Sequence, residues 1–199
     1  MLTLAFDTAT DHASCALVRD RDVLGERPSR AVRILHDIDE VLAGAGLEPV
    51  ALDGIVVGTG PGSYTGLRMG LVTARTLAFS LGIPVAGVST LDALGAGSPG
   101  ARPVLDARRG EIFTLVAGEY RCVRPESLEL EDGEAAVGDG AVLYRDVLER
   151  SGALIPPDES PAHVPWARQH ALLASDFGLP EAAEPIYLRT PDAERNLRT

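Results

Sequence analysis

The residues best placed to do chemistry are Asp7-Thr8-Ala9-Thr10, at the end of an apolar run, and the block Gly58-Thr59-Gly60-Pro61-Gly62-Ser63-Tyr64-Thr65-Gly66-Leu67-Arg68-Met69-Gly70. That block puts five glycines between the apolar Ile55-Val56-Val57 and an amphipathic segment. Glycines reach positive φ and expose backbone N–H groups at the start of a helix, where the dipole favours an anion, so the block reads as a phosphate cradle. It reads equally as a tight strand-to-helix connection in which Ser63 or Thr65 caps the helix.

The chemistry around the block is sparse. All eighteen basic residues are arginine, and the missing lysines remove a P-loop lysine, a Schiff-base lysine and a Ser-Lys pair together. The dinucleotide spacing Gly-x-Gly-x-x-Gly/Ala fails as well, because Gly58-Thr59-Gly60 leads to Ser63 and Gly60-Pro61-Gly62 leads to Thr65. Gly87-Val88-Ser89-Thr90-Leu91 sits where a hydrolase elbow could, but Leu91 stands where glycine is required, and Ser89 is better explained as a helix cap. None of His12, His36, His163 and His170 has a zincin-type partner, so no metal, peptidase or other catalytic site is expected. His163 and His170 are assigned to surface or capping roles, and His36, beside Asp37 and Asp39, to solvent or an interface. Cys15 and Cys122, inside strand-like runs, read as buried thiols.

Positioning these residues takes an ordered set of elements. Leu2–Phe6, Ala13–Val18 and Val23-Leu24 read as a three-stranded meander. Ala31, Ile34, Leu35, Ile38, Val41, Leu42 and Ala45 follow a helical period, with Pro28-Ser29 as the expected opening and Gly44 or Gly46 as the close. The strand before the glycine block, a helix from about 67 to 81, a strand Val85–Val88 and a helix begun by the capping box Ser89-Thr90-Leu91-Asp92 complete the order βββαβαβα. Gly95-Ala96-Gly97-Ser98-Pro99-Gly100 reads as a linker between lobes at 1–100 and 101–199. In the second lobe, a hairpin about Ala107-Arg108-Arg109-Gly110, a strand near Tyr120–Val123 and a short helix Val142–Leu148 are expected, with loops at Pro156–Pro165 and Pro191–Thr199. Asp106, Arg108 and Arg109 fit either a polar site or a turn anchored by an Arg–Asp pair.

Composition bounds the function. With 199 residues, 45% apolar content and a net charge of −11, the chain is an ordinary globular protein poorly suited to gripping nucleic acid by itself. No apolar run is long enough for a membrane span, and Met1 leads directly into a strand-like segment, which predicts a cytoplasmic protein without a leader.

The βββαβαβα order, with Asp7 closing the first strand, resembles the actin, sugar kinase and heat-shock ATPase superfamily. A closer resemblance is carried by Asp7-Thr8-Ala9-Thr10, Gly60 to Arg68, Gly87-Val88-Ser89-Thr90-Leu91, Asp106-Ala107-Arg108-Arg109-Gly110-Glu111-Ile112-Phe113 and Pro185-Ile186-Tyr187-Leu188-Arg189. Together and in this order they resemble the TsaB (YeaZ) family of bacterial tRNA threonylcarbamoyladenosine biosynthesis proteins. The resemblance implies a two-lobe actin-like ATPase (ribonuclease H-like) α/β fold, with a well-formed first lobe and a reduced second one. It further implies a non-catalytic paralogue of the TsaD transferase, pairing with it through first-lobe helices and helping to recruit the ATPase TsaE. The same surface could form a homodimer when the chain is alone, and tRNA would be met only through the complex.

No cofactor is expected: the chain has no adjacent glycines for a second phosphate loop, and Ala9 stands where ATP-using members have glycine. Asp7, Thr8, Thr10, Gly60, Gly62, Ser63, Thr65 and Gly66 are therefore expected to form either a vestigial phosphate site or a structural loop. Ala31, Ile34, Ile38, Val41 and Leu42 of the first helix, with the small-residue stripe Gly66, Gly70, Ala74 and Ala78 of the second, are the expected partner interface; packing against the protein's own sheet fits that spacing as well. The enzyme alternative is a small-molecule kinase or ATPase of the superfamily, with Asp7 anchoring a metal and Thr8, Thr10, Ser63 and Thr65 touching phosphates.

Overall fold

The computed structural model describes residues 1–189. Strands β1 (Leu2–Asp7), β2 (Ala13–Arg19) and β3 (Asp22–Ser29) form an antiparallel meander. Strands β4 (Gly54–Gly58) and β5 (Val85–Val88) then add in parallel, giving the order β3-β2-β1-β4-β5. The parallel pairings require crossovers, supplied by helices α1 (Ile34–Gly44) and α2 (Tyr64–Leu81).

β1 is buried throughout because both faces of the sheet are covered. Side chains alternate across a strand. Leu4, Phe6, Leu17, Ile55 and Val57 meet Ile34, Ile38, Leu67 and Leu71 of α1 and α2. The opposite face presents Ala5, Ala16, Val56 and Ala86, and these small residues admit helix α6 (Ala167–Leu173) against the sheet. A segment from the far end of the chain thus returns to cover the first sheet.

Helix α3 (Thr90–Gly97) leads to a second sheet, β8-β7-β6-β9, built from β6 (Arg102–Arg108), β7 (Glu111–Val116), β8 (Glu119–Val123) and β9 (Ala136–Val137). Leu91 and Leu94 of α3 pack with Leu105, Phe113 and Val137 of this sheet, while helices α4 (Asp139–Leu143) and α5 (Arg145–Arg150) close its second core. The molecule has the actin-like ATPase fold, with two mixed α/β layers of unequal size. No helix among the described residues is long and apolar enough to cross a membrane.

The structure corrects several expected boundaries. Pro28 and Ser29 end β3 and do not open α1, because proline lacks an N–H and is tolerated on an edge strand; a 3-10 turn, Ala31–Arg33, precedes the helix. α2 begins at Tyr64, since the side chain of Ser63 accepts from the Gly66 N–H, and it ends where Gly82 takes a left-handed φ of 67°. The helix expected at 142–148 is two helices that break at Tyr144. The expected loop at 156–165 contains a 3-10 turn, Pro161–His163, capped by Ser160. The expected tail from Pro191 lies outside the described residues.

Candidate functional site

The end of β1, the β1–β2 hairpin tip and the start of α2 meet where the glycines allow backbone to touch backbone. A Cβ on Gly62 would lie 2.3 Å from the Ala9 carbonyl oxygen, and one on Gly66 only 2.1 Å from that of Thr8. The Ser63 N–H donates to the Ala9 carbonyl at 2.6 Å, and the Thr8 hydroxyl donates to the Gly66 carbonyl at 2.7 Å. Gly70 leaves room for that hydroxyl, which would stand 2.4 Å from a Cβ there. Gly60 takes a φ of 83°, and its carbonyl accepts from the Thr90 N–H at 2.8 Å. The block therefore clamps the hairpin: carbonyl oxygens of Thr8 and Ala9 face it from the side on which a cradle would hold an anion.

Asp7 is enclosed in the same way. Its side chain occupies the space Gly58 leaves open, where a Cβ would fall 2.2 Å from the carboxyl carbon. Oδ1 accepts from the Ala9 N–H at 2.7 Å, and Oδ2 accepts from the Thr90 hydroxyl at 2.7 Å. Nε2 of His170, from α6, lies 2.8 Å from the same Oδ2. Asp7 and His170 are 1% and 0% exposed. Burial is the largest single influence on the Asp7 carboxyl and opposes its ionisation. His170, Thr90 and the Ala9 N–H together outweigh burial and hold the group below the usual carboxylate range.

Ser63 and Thr65 are exposed at the mouth of a cleft of about 300 Å³ between the two sheets, while Thr10 is buried and its hydroxyl accepts from the His12 N–H at 3.2 Å. The cleft is acidic. Asp11, Asp106 and Asp139 line it, and Arg108 spans Asp11 at 3.2 Å and Asp106 at 3.1 Å. Asp139 caps the Asp106 N–H at 2.9 Å, and its carboxyl is pushed up, chiefly by burial. Arg108, Arg109 and Gly110 take φ values of 63°, 56° and 76°, so this polar cluster contains a left-handed hairpin turn anchored by an Arg–Asp pair. A polyanion entering the cleft would meet three carboxylates against two arginines, Arg108 and Arg189.

The residues expected at a partner interface lie elsewhere. Ile34, Ile38, Val41, Leu42, Gly66, Gly70, Ala74 and Ala78 are buried against their own sheet, which corrects their placement at the interface, while Ala31 is half-buried. The large apolar residues turned outward are Val32 (81% exposed) in the 3-10 turn before α1, Leu35 (56%) in α1, and Tyr64 (43%), Val72 (62%) and Phe79 (81%) in α2.

The histidines are also redistributed. His163 is buried; its Nδ1 accepts from the Gly138 N–H at 3.0 Å, and its Nε2 faces the carbonyls of Pro156 and Pro157. Together with His170 it is a core residue, not the surface or capping residue expected. His36, Asp37 and Glu40 are the one group among the described residues close enough to share a metal ion. Asp37 already accepts from Ser29 at 2.5 Å, and Glu40 pairs with Arg27. The Cys15 thiol, buried in β2, is pushed up to about 12 by desolvation and is inert at neutral pH. Sequence reasoning missed the partnership of Asp7 with His170, for which no local spacing gives a signal.

Comparison with known proteins gives consistent matches. The family model described as TsaD, tRNA N6-adenosine threonylcarbamoyltransferase, matches residues 28–153. The tRNA threonylcarbamoyladenosine biosynthesis protein TsaB of Escherichia coli is 31% identical, over 99% of this chain and 98% of its own length. TsaB of Haemophilus influenzae is 36% identical, over 94% and 92%. The solved structure of YeaZ from Pseudomonas aeruginosa superposes with a TM-score of 0.75 at 28% identity, covering 94% of this chain and 99% of that one.

Proposed function

Since the chain belongs to the TsaB family of tRNA threonylcarbamoyladenosine biosynthesis proteins, we propose that within this pathway it is a non-catalytic docking subunit that activates a TsaD-type transferase and helps recruit a TsaE-type ATPase. The observation that carries this reading is the enclosure of Asp7. The carboxylate that the resemblance assigns to nucleotide phosphates is 1% exposed and shared among Ala9, Thr90 and His170. It has no free approach for a metal or phosphate.

The docking surface is the outward stripe of α2, Tyr64, Arg68, Val72, Arg75 and Phe79, together with Val32 and Leu35 beside it. These α2 positions recur at helical spacing on the side opposite the buried Gly66, Gly70, Ala74 and Ala78. Two helices of this size can present the roughly 800 Å² per partner of a standard interface. In the partner's absence the same stripe would pair with a second copy. The two lobes divide near Gly95–Gly100, tRNA is reached through the partner, and the assembly works in the cytoplasm.

The test is an omission assay with the matched transferase, ATPase, threonylcarbamoyl-adenylate-forming enzyme and tRNA, scored by mass spectrometry of the modified nucleoside. Modification is expected to require this chain and to be lost with Val72→Asp/Phe79→Asp but not with Val50→Asp, which changes an exposed residue away from the stripe. Modification that proceeds equally well without the chain defeats the scaffold reading and returns the superfamily kinase to first place.

A further inference from the structure

From α6 onward the backbone runs around the first sheet like a belt. α6 lies on the small-residue face, where Ala167, Ala171, Ala174 and Phe177 meet Ala5, Val56 and Ala86. Gly178 then exchanges two hydrogen bonds with Val85 at the sheet edge, at 3.0 and 2.9 Å. On the other face Arg75 of α2 donates to the Ala183 carbonyl at 2.7 Å, and the Ile186 N–H donates to the Thr59 carbonyl at 2.8 Å. Tyr187 rests on Tyr64 with ring centroids 5.6 Å apart, and Arg189 donates to the Ala107 carbonyl at 2.9 Å in the second lobe.

Beyond α6 no ladder among the described residues holds the segment, whose buried anchor is Ala183 in the core of the first sheet. At its root are two polar joints, the half-buried pair Arg168–Glu26 and the fully buried contact Asp7–His170. The second kind of joint has a distinctive property. An ionised carboxylate buried at such a joint is costly without its partners, so losing His170 would favour a state in which water reaches Asp7.

We propose that residues 167–189 form a releasable belt whose buckle is the Asp7–His170 pair, and that this belt leaves the five-stranded sheet as a unit while the sheet stays folded. Closed, it fixes α2 through Arg75 and walls the acidic cleft with Ile186 and Tyr187. Open, it frees Tyr64 and Arg75 on the outward stripe of α2. That consequence for docking rests on the proposed function; the release itself does not.

Hydrogen exchange of the full chain at neutral pH, followed by mass spectrometry, tests the release without any partner. In the wild type, Gly178 and Ile186 amides are expected to exchange at a common rate, at least about tenfold faster than those of β1 and β4. His170→Ala should accelerate both belt amides at least about tenfold further and leave β1 and β4 within about twofold. Arg75→Ala, a half-exposed side chain whose loss leaves the core intact, should accelerate Gly178 together with Ile186. If His170→Ala does not fold, Arg75→Ala decides. Belt and sheet accelerating equally, or Ile186 responding to Arg75→Ala while Gly178 does not, would overturn the proposal.

Discussion

At Asp7 a main-chain N–H, a threonine hydroxyl and an imidazole all favour the charged carboxylate against the burial that opposes it. The folded pKa therefore lies below the unfolded value of about 3.9. Stability from this group is fully present above that value and is lost as pH falls through the lower, folded one. In urea at pH 7, Asp7→Asn should cost ~1–3 kcal/mol, because an amide offers one acceptor oxygen in place of the two that take the Ala9 N–H and the Thr90 hydroxyl. The variant should also lose less stability than the wild type between about pH 4 and pH 2. An equal acid response in the two proteins would show that Asp7 is not charged in the folded state. Neither outcome depends on catalysis, since both follow from the burial and the hydrogen-bond partners of Asp7.

Among the elements, the strand-to-helix block and α1 use glycine in opposite ways. Gly66 lies where a Cβ would stand 2.1 Å from a carbonyl oxygen, whereas Gly44 ends α1 with nothing within 4 Å. Gly66→Ala must push the hairpin away from α2 and is expected to destabilise by ~1–3 kcal/mol. Gly44→Ala should stabilise by up to ~1 kcal/mol through the entropy of the unfolded chain. Thermal unfolding of the two variants separates them by sign, and a neutral Gly66→Ala would mean that the hairpin does not press on the block. The existence and order of these elements were legible in the residues, because a period of two or of about 3.6 is a local signal. Their ends were less so: Pro28 is a plausible helix opener until the edge strand that accommodates it is seen.

For the whole molecule the feature to test is the cleft between the two sheets, where the superfamily resemblance would place a nucleotide. Asp11, Asp106 and Asp139 line it, and the Ser63 N–H that could reach an anion is taken by Ala9. A lone loop could offer two or three charge-assisted hydrogen bonds of ~1.5–3 kcal/mol each, against an association cost of ~4–15 kcal/mol. Titration calorimetry of the isolated chain with ATP and magnesium should accordingly show binding no tighter than millimolar. A low-micromolar dissociation constant would restore the kinase alternative. The amino-acid sequence by itself determined the βββαβαβα order, the lack of lysine and zincin chemistry, and the motif series that places the chain in its family. Each is a property of neighbouring residues or of composition. Only the tertiary structure decided that Ile34, Ile38, Ala74 and Ala78 face inward while Val32, Val72 and Phe79 face out, and that His170 closes over Asp7. An apolar arc wide enough for two surfaces does not say which side meets the sheet, and a pair from opposite ends of the chain leaves no periodic trace. Both are settled only when α6 packs on the face that Ala5, Ala16 and Ala86 leave shallow.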